Sequence, residues 1–158
     1  MMMQASVLIV DDEPLARQTL SEWMRKKNFH VIEAEGGRQA MEMIRRDDPD
    51  IVISDVVMPG MDGIQLLKEA KAFKADIPFL MISGYPSHST AVNIMKHGAS
   101  DYLPKPFTLE ELTRRVGYTL KLNALSKPLA PAKGIILGAV ISTTMWMLII
   151  GAILALSF

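Results

Sequence analysis

Up to Leu122 the chain alternates short aliphatic or β-branched runs with amphipathic stretches. SVLIV, Ser6 to Val10, is almost wholly apolar, the pattern of a short strand buried on both faces. DEPLARQTLSEWMRKKN follows, with Leu15, Leu20, Trp23 and Met24 at near-helical spacing, and Asp12 or Glu13 ahead of Pro14 marks a helix start. FHVIEA reads as a second strand and GRQAMEMIRRD as a second helix. DIVISD is a third strand that runs into the Pro/Gly-rich loop VMPGMDG, and a helix follows from Ile64 to Phe73. IPFLMIS, a helix from Ser87 to His97 stopped by Gly98, DYL, and a helix from Thr108 to Leu122 complete the alternation. Five strand units, each followed by a helix, predict an α/β fold with a doubly wound, five-stranded parallel sheet.

Composition changes this picture little, and only by exclusion. Seventeen basic and 17 acidic residues cancel, and the basic clusters RKK and RR are small and offset by acids, so no basic stripe for nucleic acid is present. With no cysteine there is neither a disulfide framework nor a thiolate metal site, which agrees with a reducing compartment. His30, His88 and His97 are scattered without ligand spacing. The amino terminus has no basic region ahead of its apolar run and is not expected to be a secretory signal; the start is open among Met1, Met2 and Met3.

In a parallel sheet, ligands bind outside the carboxyl ends of the strands, so the polar residues there belong together. Asp11 and Asp12 follow the first strand, Asp55 ends the third, Ser83 ends the fourth, and Lys105 stands just past the fifth. Taken singly, an acid at a helix start serves the helix dipole, and a loop lysine is solvated. Together they converge on one crevice. Three converging carboxylates repel unless a counter-charge is present, and Mg²⁺ suits one or two carboxylates with water and phosphate oxygens. Lys105 adds a second positive point, and the Ser83 hydroxyl offers a hydrogen bond to the same oxygens. This is the pattern of a phosphoryl-transfer site with an aspartate nucleophile.

VLIVDDEP, DIVISDVVMPGMDG, MISGY and GASDYLPKPF, in this order and spacing, resemble the signature segments of the receiver domain of bacterial two-component response regulators, with its CheY-like (flavodoxin-like) fold, over roughly Ser6 to Leu122. The resemblance implies Asp55 as phosphoacceptor and Asp11 and Asp12 as the acidic pair. Mg²⁺ would be held there, with Asp12, Asp55 and the Val57 carbonyl as ligands. It further implies Ser83 and Lys105 as the groups that grip the phosphoryl group, Tyr102 as the aromatic of the switch, and a cis Lys105–Pro106 bond. By the same resemblance, Val57 and Tyr85 would stand at positions whose side chains tune hydrolysis, and the small Gly84 would keep access open. The donor would be a sensor histidine kinase or a histidine phosphotransfer protein, and the protein would not be an enzyme beyond its own phosphoryl gain and loss. A haloacid-dehalogenase-type phosphatase needs a second aspartate two residues after the first, where Val57 stands.

The remainder predicts something different. Residues 123–133, NALSKPLAPAK, read as a short linker, and residues 134–158 carry no charge. As a helix they would extend roughly 37 Å, against about 30 Å of bilayer hydrocarbon. The eleven Ile, Leu and Val residues from Ile135 to Leu156 contribute about −3 to −7 kcal/mol toward insertion. Lys121, Lys127 and Lys133 precede this run, so the expectation is a single-pass tail anchor in the cytoplasmic membrane, with the receiver, residues 1–122, facing the cytoplasm. Gly134, Gly138 and Ser142 recur at a spacing that admits pairing into a homodimer. The function expected from the whole is a switch that signals by protein contacts at the membrane without a DNA-binding output domain. The alternative is a non-switching scaffold that uses the same fold for constitutive docking.

Overall fold

In the computed structural model, which describes residues 4–85 and 87–126, the apolar runs become strands and the amphipathic stretches become helices. The order is β1 (Ser6–Val10), α1 (Pro14–Lys26), β2 (His30–Ala34), α2 (Gly37–Asp47), β3 (Ile51–Asp55), α3 (Gly63–Phe73), β4 (Phe79–Ser83), α4 (His88–Lys96), β5 (Asp101–Pro104) and α5 (Leu109–Ser126). The five strands pair in parallel in the order β2-β1-β3-β4-β5. The doubly wound α/β sheet expected from the alternation is therefore present.

Each strand sends alternate side chains to opposite faces, and each face carries its own core. Leu8, Val10, Val52, Phe79 and Met81 pack with Ala40, Met41 and Ile44 of α2, Leu66, Leu67 and Ala70 of α3, and Ile94 of α4. On the other face Val7, Ile9, Ile51, Ile53, Leu80 and Ile82 pack with Leu20 and Met24 of α1 and Leu112 and Val116 of α5. The Trp23 indole N–H donates to the Thr113 hydroxyl at 2.9 Å, linking α1 to α5.

Helix ends follow local chemistry. Pro14 opens α1, Ser87 caps α4 by accepting the Thr90 N–H at 3.0 Å, and Gly98 follows α4 with φ +90°. The last helix continues past Leu122 to Ser126, because Asn123, Ala124 and Leu125 contain no helix breaker.

One expectation is overturned. No helix among the described residues is long and apolar enough to cross a membrane, and the single-pass placement in the cytoplasmic membrane is withdrawn on that finding. Among the described residues the longest helix is α5 at 18 residues, and Glu110, Glu111, Arg114, Arg115 and Lys121 put too much charge on it for a span. Residues 134–158, on which that expectation and the one of helix pairing were founded, lie outside the described residues, as do residues 127–133 of the expected linker.

The sheet order places the site. The chain steps from β1 out to β2 and then returns past β1 to β3, so the carboxyl ends of β1 and β3 are neighbours where the connections diverge. The loop after β3 is drawn tightly back over this point. Val56 N–H donates to the Ile82 carbonyl at 2.9 Å, and Gly63 N–H to the Val56 carbonyl at 3.0 Å. Asp62 and Gln65 then form a reciprocal capping box that starts α3. A Cβ on Gly63 would lie 2.1 Å from the Asp55 carbonyl oxygen, a backbone atom that cannot turn aside. Alanine gains about 0.5–1 kcal/mol over glycine in a helix, whereas overpacking of this kind costs about 1–3 kcal/mol. Gly63→Ala is therefore expected to destabilise the protein by about 1–2 kcal/mol in urea unfolding; an unchanged midpoint would show that the loop yields freely.

Candidate functional site

Three strand ends build the acidic part of the site. Val10 is the last residue of β1, so Asp11 and Asp12 leave the ladder as the chain turns toward α1. Asp55 closes β3, pairing with Ile82 of β4. Asp11, Asp12 and Asp55 each bring a carboxylate oxygen to within 4.8 Å of the other two. Their settings differ: Asp11 is 4 % exposed, Asp55 is half-buried and Asp12 faces solvent. Asp11 Oδ1 accepts the Glu13 N–H at 2.9 Å, so the same side chain also serves the turn into α1.

Burial pushes the Asp11 carboxyl above its ordinary range, and the charges of Asp55 and Asp12 push the same way. The hydrogen bond from Glu13 and the charge of Lys105 oppose them without overcoming burial. Lys105 Nζ lies 3.3 Å from Asp55 Oδ1. That oxygen is buried and accepts no hydrogen bond among the described residues, so the two groups are in ion-pair range without hydrogen-bond alignment.

The opposite wall comes from β4 and β5. Ser83 is 1 % exposed, and its hydroxyl accepts the Tyr85 N–H at 3.2 Å. Its carbonyl accepts the Lys105 N–H at 2.8 Å, which ties the lysine to the end of β4. Gly84 leaves room for the lysine stem, whose Cδ would stand 3.9 Å from a Cβ there. The Lys105–Pro106 bond is cis. An open pocket of about 460 Å³ lies beside Ser83, between Val56, Val57, Ile64, Thr90 and Asn93. Val57 is 56 % exposed. The Tyr102 ring packs against the α2/α3/α4 core, and its hydroxyl is buried without a partner among the described residues.

The donor set fits a hard divalent cation. Among the described residues three carboxylates are gathered, one of them has a buried oxygen without a hydrogen bond, and no sulfur or imidazole group joins them.

A family model described as the response regulator receiver domain matches residues 7–117. The chain belongs to the response regulator receiver family. This receiver is 37 % identical over 119 residues to the response regulator MprA of Mycolicibacterium vanbaalenii, a match covering 75 % of this chain and 52 % of that one. It is 38 % identical over 121 residues to the regulatory protein AtoC of Escherichia coli, covering 77 % of this chain and 26 % of that one. The chain thus spans about half the length of the first relative and a quarter of the second. Among solved structures, the Vibrio cholerae chemotaxis protein CheY4 superposes with a TM-score of 0.71 at 30 % identity, covering 74 % of this chain and 99 % of that one. Family membership places the protein in two-component signalling.

Of the residues singled out from sequence, the receiver brings Asp11, Asp12, Asp55 and Lys105 together, with Ser83 bound to Lys105 through the backbone. Tyr102 stands apart from them, its hydroxyl bonded to none. Sequence reading passes over Ser54 and Gly63, which occupy the Asp55 carbonyl: Ser54 Oγ donates to it at 2.9 Å and Gly63 makes room for it. It also passes over Arg17, whose guanidinium reaches the Asp11 carbonyl. The serine inside an otherwise aliphatic strand was the available signal for Ser54. Arg17 gave none beyond a place on the polar side of α1.

The Asp11 environment makes stability depend on pH in a stated direction. Because its folded pKa is raised, the folded state binds more protons than the unfolded state between the ordinary value of 3.8 and the raised one, and stability falls as pH rises through that window. Asp11→Asn keeps the acceptor for Glu13 and removes the buried charge. At neutral pH, in chelator, the variant is expected to melt a few degrees higher, corresponding to about 1 kcal/mol. The gain should vanish below the ordinary aspartate value; a variant less stable at neutral pH would refute the assignment.

Proposed function

We propose that this receiver is a phosphorylation-dependent switch in which Asp55 accepts a phosphoryl group from a phosphohistidine. The donor protein is a sensor histidine kinase or a histidine phosphotransfer protein. The observation that supports this most is Asp55 Oδ1, buried, without a hydrogen bond among the described residues and 3.3 Å from the Lys105 ammonium. A purely structural carboxylate at a strand end would be expected to spend that oxygen on a backbone N–H.

An Asp55 oxygen attacks the phosphorus in line. The new O–P bond forms as the N–P bond breaks, and the electron pair leaves with the imidazole nitrogen of the donor. Lys105, held at the end of β4 by its own N–H, neutralises charge on the phosphoryl oxygens. Asp12, Asp55 and the Val57 carbonyl, with Asp11 behind them, are the groups to hold Mg²⁺, which supplies further neutralisation of those oxygens when bound. Ser83 gives up the weak 3.2 Å contact from Tyr85 N–H and turns its hydroxyl to the phosphoryl group.

The readout follows from Tyr102. Its hydroxyl is buried without a partner among the described residues, which costs about 1–3 kcal/mol, so a rotamer that satisfies it needs only a modest bias to become the populated one. Movement of Ser83 supplies that bias, and the altered surface of α4, β5 and α5 signals by protein contact.

Incubation with a small-molecule phosphodonor should label the protein in a Mg²⁺-dependent manner, and Asp55→Ala should abolish the label. Labelling that persists in Asp55→Ala would remove Asp55 as acceptor. Partner binding unchanged by Asp55→Asn would favour the constitutive scaffold instead.

A further inference from the structure

We propose that Arg17 is a positioning residue for the acidic cluster: leaning on Glu33 and Glu35 at the end of β2, it clamps the Asp11 main-chain carbonyl and so sets where the Asp11 and Asp12 carboxylates stand. The inference rests on reading that cluster as a Mg²⁺ site.

β1 ends at Val10, so the Asp11 carbonyl has left the ladder and has no strand partner. An enclosed carbonyl needs a donor, and Arg17 Nη1 supplies it at 2.7 Å, a short charge-assisted bond. The Asp11 N–H donates to the Ala34 carbonyl at 3.2 Å, so both main-chain groups of Asp11 are engaged. The clamped oxygen belongs to the planar peptide that joins Asp11 to Asp12. Holding it fixes the plane from which both carboxylates spring.

The other guanidinium nitrogens lie within ion-pair range of two acids, Glu33 of β2 and Glu35 just past it. Arg17 Nε is 3.9 Å from Glu33 Oε2 and Nη2 is 3.6 Å from Glu35 Oε1, while Glu33 itself is anchored by Arg25 Nη2 at 2.6 Å. The Arg17 side chain is only 13 % exposed. An arginine whose work was surface charge pairing would not be covered to this extent, nor would it direct its shortest bond at a backbone oxygen beside three carboxylates.

Charge and positioning make opposite predictions. Arg17 is a cation near a cation site, so on Coulomb's law alone its removal strengthens Mg²⁺ binding. If it positions the ligands, its removal weakens binding, as loss of an orienting group behind metal ligands commonly does by about 10–100-fold.

The test is Mg²⁺ titration of the full chain by calorimetry, without phosphodonor, for the native protein, Arg17→Met, Arg17→Lys and Asp12→Asn. Melting in chelator gives the stability of each separately. Arg17→Met is expected to bind Mg²⁺ at least tenfold more weakly. Arg17→Lys, which keeps the charge but loses the fork, should weaken it by about threefold or more. Equal or tighter binding by a folded Arg17→Met overturns the clamp. Should that variant not fold, native-strength binding by Arg17→Lys overturns it. A native protein that binds no Mg²⁺, and so equals Asp12→Asn, overturns the cation-site reading and the clamp with it. Native binding lost in Asp12→Asn but untouched in Arg17→Met overturns the clamp alone.

Discussion

Like charges held together are the constraint to which this receiver's site responds. Asp11, Asp12 and Asp55 bring oxygens within 4.8 Å of one another. Two unit charges at about 4 Å repel by roughly 1 kcal/mol in water and about 4 kcal/mol at the effective dielectric of a protein surface. Each neighbouring feature limits that repulsion. Asp12 stays in solvent, Glu13 donates its N–H to Asp11, and Lys105 stands against Asp55. At Asp11 burial outweighs the Glu13 hydrogen bond and the charge of Lys105, so its carboxyl is pushed above its ordinary range, with the charges of Asp55 and Asp12 adding to the push. Apart from the turn that Asp11 Oδ1 helps to close, folding gives little reason to gather three carboxylates, whereas a bound cation would.

The fold tolerates the cluster because the aliphatic sheet beneath it is secured independently. Val7, Leu8, Ile9 and Val10 are all buried, as are Ile51, Val52 and Ile53, so β1 and β3 are held from both faces. Burying even one such side chain contributes about 1.5–3 kcal/mol. The acids are then located through their main chain more than through their side chains. The Asp55 carbonyl receives the Ser54 hydroxyl and is closely covered by Gly63, and the Asp11 carbonyl receives Arg17. This spares side-chain oxygens from holding the acids in place, except Asp11 Oδ1, which accepts the Glu13 N–H.

This division explains what could be read from the chain. The strands were legible because a strand buried on both faces is a run of aliphatic residues, and SVLIV or DIVIS has no helical stripe to confuse it. The acids, Ser83 and Lys105 were legible because parallel strands deliver their carboxyl ends to one side. The groups that grip main-chain carbonyls were not. Arg17 looks like any polar position of α1, and its partner is a backbone atom that carries no residue identity. Gly63 reads as one of two glycines in its loop, until the 2.1 Å that would separate a Cβ there from the Asp55 carbonyl oxygen gives it a purpose. Hydropathy also overreached: it treated residues 134–158 as sufficient to place the protein in a membrane, while the helices that are described carry their apolar residues on one stripe.

Formal charge also says when such a pocket can act. Three carboxylates and one lysine leave it two negative charges in excess, before any substrate arrives. If Asp55 is the acceptor, its single charge is replaced by an acyl phosphate bearing about two, and the excess grows. Lys105 is already engaged with Asp55 and cannot offset the increment alone. A divalent cation can, so on this reading cation binding and phosphorylation each favour the other, and linkage requires that the favour be equal in both directions. Arg17 then matters beyond geometry. By holding the Asp11–Asp12 peptide in place before any cation arrives, it removes an ordering cost that would otherwise be charged against the first ligand to bind. The coupling between metal and phosphoryl group is in this way prepared by a residue that touches neither.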